Sequence, residues 1–227
     1  MTQPAEVPQR DINWNSAVRI IPSRFPPVNV FESVADPADL EEVFRVEGLT
    51  NDRLRDQAGD LRLVRPEDRI AGPGTTPIMA AFTHPSSSRF TDGSFGVYYA
   101  SRDRETAVDE SCYRRELFMR ASVIPATDLE MRIYFSDISG SFRDLRGLQA
   151  TYPHLYDPNN YEASQPFGKA VYSTHEDGIC YSSVRHAGGE CAAVMRACKV
   201  SSCRQGPHLI YRWDGARISS VGELHGR

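Results

Sequence analysis

Cys191, Cys198, Cys203 and His208 stand close together in the spacing C-x6-C-x4-C-x4-H. Thiolates and imidazole are zinc ligands, but a structural zinc site usually carries a C-x2-C knuckle, and this stretch has none. No metal is expected, and the cysteines read as small buried apolar residues in strands. No G-x-S-x-G elbow is present, and no motif supplies a serine with a base and an orienting acid. No G-x-G-x-x-G follows a strand and there is no G-x4-G-K-[ST], so neither a Rossmann site nor a P-loop is indicated. What remains is carboxylate, arginine and tyrosine chemistry. Glu110 stands four residues before Arg114, a spacing at which a helix would pair them. Glu105 falls in that helix's first turn, where acids are common because of the dipole. Tyr98 and Tyr99 are neighbours in an expected strand and so face opposite sides.

The elements that must position these groups are short and varied. Residues 1–16 are polar and are expected to be loosely held, and 17–31 read as an extended segment ending in a turn. A helix is expected over 36–54, with Asp36 as cap, Pro37 in the first turn and Gly48 as a stop. Residues 60–75 read as loop around Gly72-Pro73-Gly74. Strands are expected at 95–101, 119–125, 130–135, 178–183 and 190–199. Helices are expected at 105–118, capped from Ser101 or Asp103, and at 161–175, interrupted by Pro166 and Gly168. Asp214-Gly215 between alternating runs predicts a C-terminal hairpin with a type I′ turn. Many short strands with a few interposed helices give an α+β fold with mixed or antiparallel sheets, as opposed to a doubly wound one.

At 227 residues with 40% hydrophobic and 25% charged content, one domain with a sizeable core is expected. The formal net charge of −4 argues against a surface built for direct nucleic-acid binding, so any anionic ligand must be held by a few local arginines. The absence of a long apolar run or a signal-like N-terminus, and an odd number of cysteines, point to a cytoplasmic protein with reduced thiols and no membrane partner.

Four blocks then stand in order: VRIIPSRFPP at 18–27, FTHPSSSRFTDGSFGVYYAS at 82–101, RETAVDE at 104–110 and EDGICYSSVRHAGGEC at 176–191. Together they resemble the RES-domain family, the toxin half of toxin–antitoxin pairs whose antitoxin is an Xre-type helix-turn-helix protein. The resemblance implies a fold like that of the diphtheria-toxin type of ADP-ribosyltransferase. It also implies an enzyme that breaks the nicotinamide–ribose bond of NAD by hydrolysis or phosphorolysis, with NAD as substrate and no prosthetic group. Residues 17–227 would form the domain, with an insertion at about 31–85 that compact members lack.

By the same resemblance, Arg19 and Arg89 would hold phosphate oxygens, with Arg24 and then Arg45 as rivals of Arg19. Tyr98 matches the family's Tyr-x-Ala pattern and would stack on nicotinamide or ribose, with Tyr99 as the alternative. Glu110 would stabilise the developing ribosyl cation, with Glu105 as its competitor. Ser183 would contact substrate phosphate or Glu110. Arg185, Tyr181, His84 and His186 rank behind these. The acceptor is left open between water and phosphate. Transfer of ADP-ribose to a protein is one alternative, and a catalytically silent module that binds the antitoxin is another. Homodimerisation is not readable from the sequence.

Overall fold

The computed structural model describes residues 2–23, 31–32, 36–40 and 59–224. Its strands are β1 (Gln9–Pro22), β2 (Tyr98–Ser101), β3 (Thr127–Asp144), β4 (Gly178–Ser182), β5 (Glu190–Val194), β6 (Val200–Trp213) and β7 (Ile218–Leu224). Among the described residues the helices are α1 (Thr76–Thr83), α2 (Arg104–Ala121) and α3 (Ser164–Ser173), joined by several 3-10 turns. The pairings run β1–β2–β5–β4–β3 and return from β3 to β1, so five strands close into a ring; β6 and β7 extend outward from β3. The β3–β4 contact is parallel and the other ladders are antiparallel. This is the expected α+β class with a mixed sheet.

Alternation along the strands sorts residues to the two sides of this ring. Tyr98, Ala100, Ile138, Phe142, Cys180, Ala192 and Val194 share one buried cluster with Ile12 and Trp14, and α1 adds Ile78, Met79 and Phe82 to it. On the opposite face of β1, β3 and β6, Val18, Met131, Ile133, Leu209 and Tyr211 pack against Ala107 of α2. A third cluster places Phe167 and Val171 of α3 against Ile179, Tyr181 and Ala193. Gly168 lets α3 approach the backbone carbonyl of Phe90, since a Cβ there would collide with it.

Several expectations are corrected. Residues 9–16 are not loose: Gln9 to Trp14 pair in register with Arg143 to Ile138, and Ile12 and Trp14 are buried. Of the helix expected over 36–54, Asp36 caps a 3-10 turn at Pro37–Asp39 by accepting from the Ala38 N–H at 2.9 Å; from residue 41 on it lies outside the described residues. The strand expected at 119–125 is instead the end of α2. The Ile124 and Val123 N–H groups close onto the Met119 and Arg120 carbonyls, with Val123 at φ +50°, a helix-ending pattern that satisfies carbonyls left open by the last turn. The run 190–199 leaves the sheet at Val194 and passes through a 3-10 turn at Ala197–Lys199. In the C-terminal hairpin Trp213 faces Ile218, so the loop has four residues. Only Gly215 of the Asp-Gly pair has positive φ, and the Asp214 carboxylate accepts from the Ala216 and Arg217 N–H groups. That is an Asx-type turn, not type I′. Cys180 and Cys191 are buried in strands, but Cys198 is exposed in a turn, 3.2 Å from an Asp68 carboxylate oxygen.

Candidate active site

The β1–β2 ladder is a single register pair, Val18 with Ser101. Past it the two strands diverge, and the gap opens into a cleft of about 260 Å³. One wall is β1 from Val18 to Pro22. The facing wall is α1, the 86–91 turn and Tyr99. α2 forms the third side through Ala107, Glu110, Ser111 and Arg114.

α2 aims its carboxylate because its start is fixed. The Asp103 side chain accepts from the Thr106 N–H at 2.7 Å and its hydroxyl at 2.8 Å, a capping arrangement that sets the helix phase. Seven residues on, Glu110 lines the cleft, and its Oε1 accepts the Ser183 hydroxyl at 2.6 Å. Ser183 is itself held, because its Oγ accepts the Arg185 and His186 N–H groups at 3.0 Å each. A hydroxyl with both acceptor sites filled has its proton left for the carboxylate, so Glu110 is oriented from behind. The pairing of Glu110 with Arg114 that spacing allows does not form; no ion pair joins them. Glu105 is exposed in the first turn and does not line the cleft.

Arg19 enters from β1 and donates from Nη1 to the Tyr99 carbonyl at 2.9 Å. Its guanidinium lies 4.6 Å from the centre of the Tyr98 ring, and its Nε is buried with no acceptor. Burial pushes this arginine's pKa below the ordinary value, yet among the described residues no carboxylate pairs with it. Arg89 is buried too, and its Nη1 donates to the Leu155 and Asp157 carbonyls at 3.1 and 2.9 Å. It also stacks on Tyr161, 5.0 Å from the ring centre. Neither arginine forms an ion pair within the described residues, and both line the cleft. Arg24 and Arg45 lie outside the described residues.

Tyr98 does not reach the cleft. It pairs with Val194 and points into the ring interior, where Ala100 and Ala192 leave room for an aromatic side chain. It is fully buried, its hydroxyl lies 3.1 Å from that of Ser136, and burial drives its pKa far up. Tyr99, with the opposite parity, lines the cleft. Its hydroxyl contacts Ser88 at 2.9 Å and accepts the Phe90 N–H at 3.1 Å, so it braces the turn that carries Arg89. Tyr181 lines the cleft floor, edge-on to Phe90, and Cys191 lies beside it with a thiol pushed up to about 12 by burial. His84 lines the rim. Outside the cleft, His186 is tied to Asp109 at 2.7 Å and Arg185 lies over the Tyr113 ring at 3.3 Å. Arg114, Tyr113 and Tyr161 also line the cleft; sequence reasoning gave none of them a role in the site. For Tyr113 and Arg114 the signal was the helical repeat from Glu110, since residues three and four further on share its face; Tyr161 comes from a distant turn and had no such signal.

The arrangement is one oriented carboxylate beside several cations and aromatic rings. It suits an anionic ligand that develops positive charge at a carbon during reaction. Among the described residues, no group of histidine, cysteine or acidic side chains could hold a metal ion, and no helix is long and apolar enough to cross a membrane.

Comparison with known proteins gives three results. The uncharacterized protein y4oC of Sinorhizobium fredii is 31% identical over 204 residues, covering 88% of this chain and 84% of that protein. The crystal structure of the M. tuberculosis MbcT–MbcA toxin–antitoxin complex contains a chain similar to this one with a TM-score of 0.38 and 12% identity, covering 60% of this chain and 71% of that one. Residues 66–214 match the RES domain, a span that begins after Arg19 and includes Arg89, Glu110 and Ser183. The chain belongs to the RES-domain family.

Proposed function

We propose that this chain cleaves the nicotinamide–ribose bond of NAD, as a toxin-type enzyme restrained by an Xre-type antitoxin that covers the cleft. One observation carries the reading. Glu110, oriented by Ser183, faces a cleft whose arginines Arg19, Arg89 and Arg114 have no acidic partner among the described residues. NAD is complementary to that pattern, with a diphosphate for the cations and a ribose carbon that becomes cationic for the carboxylate.

The bond that breaks joins C1′ of the ribose to the nicotinamide nitrogen. The ring is cationic in NAD and departs with the bonding pair as neutral nicotinamide, so no acid is needed to protonate it. C1′ becomes oxocarbenium-like, and a carboxylate held next to it lowers the barrier electrostatically. Water then bonds to C1′ through its oxygen and releases one proton to Glu110 or solvent, whereas phosphate bonds through an anionic oxygen and releases none. Tyr99 and Tyr113 offer aromatic surface for the ribose and the departing ring.

The test is product analysis after incubating NAD with folded protein, with and without inorganic phosphate, beside Glu110→Gln. Nicotinamide and ADP-ribose in both buffers identify hydrolysis. A phosphorylated ADP-ribose formed only with phosphate identifies phosphorolysis, and label retained on protein identifies transfer. Intact NAD in both buffers, with no label on protein, would end this reading. Uncontrolled expression should also arrest growth, and Glu110→Gln should relieve the arrest.

A further inference from the structure

Arg114 stands one turn beyond Glu110 on α2. It is exposed, lines the same cleft, and makes no hydrogen bond or ion pair within the described residues. Arg19 reaches the cleft from β1, on a different wall. The two guanidinium groups feel one another, since Arg114 adds to burial in holding Arg19 below its ordinary value. Like charges converging on one space repel unless an anion joins them. The Arg19 Nε, buried without an acceptor, is a donor that an incoming oxygen would satisfy. Arg89 is in a different position, with its Nη1 committed to two backbone carbonyls and its plane to Tyr161.

We propose that Arg114 and Arg19 form a clamp for a phosphoryl group, and that this group is the phosphate on the 5′ oxygen of the ribose whose C1′ faces Glu110. The inference rests on the NAD reading above. Along a helix one turn advances about 5.4 Å, comparable with the reach from a ribose anomeric carbon to its own 5′ phosphorus. With Glu110 at one end of that span and Arg114 at the other, the clamp fixes the sugar by the phosphate nearest the breaking bond. The adenylate half is then the less critical part of the ligand. The substrate class is a nicotinamide ribosyl 5′-phosphate, and a riboside without phosphate should bind poorly.

The experiment is calorimetric titration of the intact protein with ADP-ribose and with inorganic pyrophosphate, for wild type, Arg114→Gln, Arg114→Lys and Arg212→Gln. Arg212 is an exposed arginine outside the cleft, near Asp128. Losing a charge-assisted bond should weaken ADP-ribose binding by about ten- to hundredfold in Arg114→Gln. Arg114→Lys should lie between, because it keeps charge but loses the fork, and Arg212→Gln should match wild type. Equal ADP-ribose affinity for wild type and Arg114→Gln would overturn the clamp and leave the NAD reading standing. Failure of folded wild type to bind either diphosphate would overturn both. Free phosphate is the other possible source of the anion, and competition separates the two. Inorganic phosphate displacing ADP-ribose supports a shared site, whereas Arg114-dependent phosphate binding to the ADP-ribose complex would overturn the proposal.

Discussion

Replacing Ser183 with alanine removes one oxygen that three groups use. The Glu110 carboxylate loses its 2.6 Å donor, and the Arg185 and His186 N–H groups lose their 3.0 Å acceptor. A hydrogen bond to a charged group contributes about 1.5–3 kcal/mol, and half-buried amides left unpaired add to the cost, so the expected destabilisation is about 2–3 kcal/mol. For a chain of this size that lowers Tm by roughly 4–12 °C. Part of the loss belongs to the Glu110 bond and part to the turn at 183–186, and a double-mutant cycle in urea separates them. Measured in a Glu110→Ala background, Ser183→Ala should cost about 1–2 kcal/mol less than in wild type. In the NAD assay the single variant should lose about ten- to hundredfold in kcat with a smaller change in KM, because the hydroxyl acts by orienting Glu110. The same cost in both backgrounds, or wild-type turnover by Ser183→Ala, would refute the claim that this serine positions the carboxylate.

Arg19→Met should raise Tm while abolishing NAD turnover, since it removes a desolvated cation that has no ion-pair partner among the described residues and a buried Nε with no acceptor; thermal melting alongside the NAD assay reads both. Tyr98→Phe should cost about 1 kcal/mol of stability and leave turnover intact, because the hydroxyl is engaged inside the ring, on Ser136 and the Cys203 thiol, and not in the cleft. Tyr99→Phe should lower turnover by releasing the turn that carries Arg89, so comparing the two variants tests the assignment of the cleft face. His186 has its pKa raised, chiefly by its bond to Asp109. A raised value stabilises the fold below the ordinary 6.5, and that contribution disappears as pH rises through the raised value. Urea unfolding of wild type and His186→Asn should therefore differ at low pH and converge in mildly alkaline buffer. Gly168→Ala should destabilise by about 1–3 kcal/mol through the collision with the Phe90 carbonyl, with a matching fall in the urea midpoint.

The α+β class was legible because Asp-Gly turns, prolines and short β-rich runs punctuate the chain at close intervals. Helix α2 was legible from Asp103 and the acidic first turn. Less visible was the ring. Ile12 and Trp14 alternate with polar residues in QRDINWN, a two-residue period overshadowed by the polar composition around it. Tyr98 and Tyr99 were known to face opposite ways, but which one enters the interior depends on the alanines of β5, whose pairing with β2 spans about ninety residues of sequence. The Glu110–Ser183 bond is another such long-range fact. The resemblance marked both residues, and only folding brings them within 2.6 Å. Arg114 was missed because i,i+4 spacing read it as the partner of Glu110; in the fold Glu110 takes a hydroxyl instead, and no ion pair joins the two.

The ring also sets an order of events during synthesis. β1, which brings Arg19 to the cleft, lies at residues 9–22, while the strand it pairs with along its length, β3, is not complete until Asp144. A ribosome adding about 5–20 residues per second needs on the order of ten seconds to cover that interval. The loop 183–189 that holds Glu110 through Ser183 emerges later still. The nascent chain thus carries its first wall long before it can assemble the other two. The cleft is completed only when most of the polypeptide has left the ribosome, so whatever the cleft binds can be bound only near the end of synthesis.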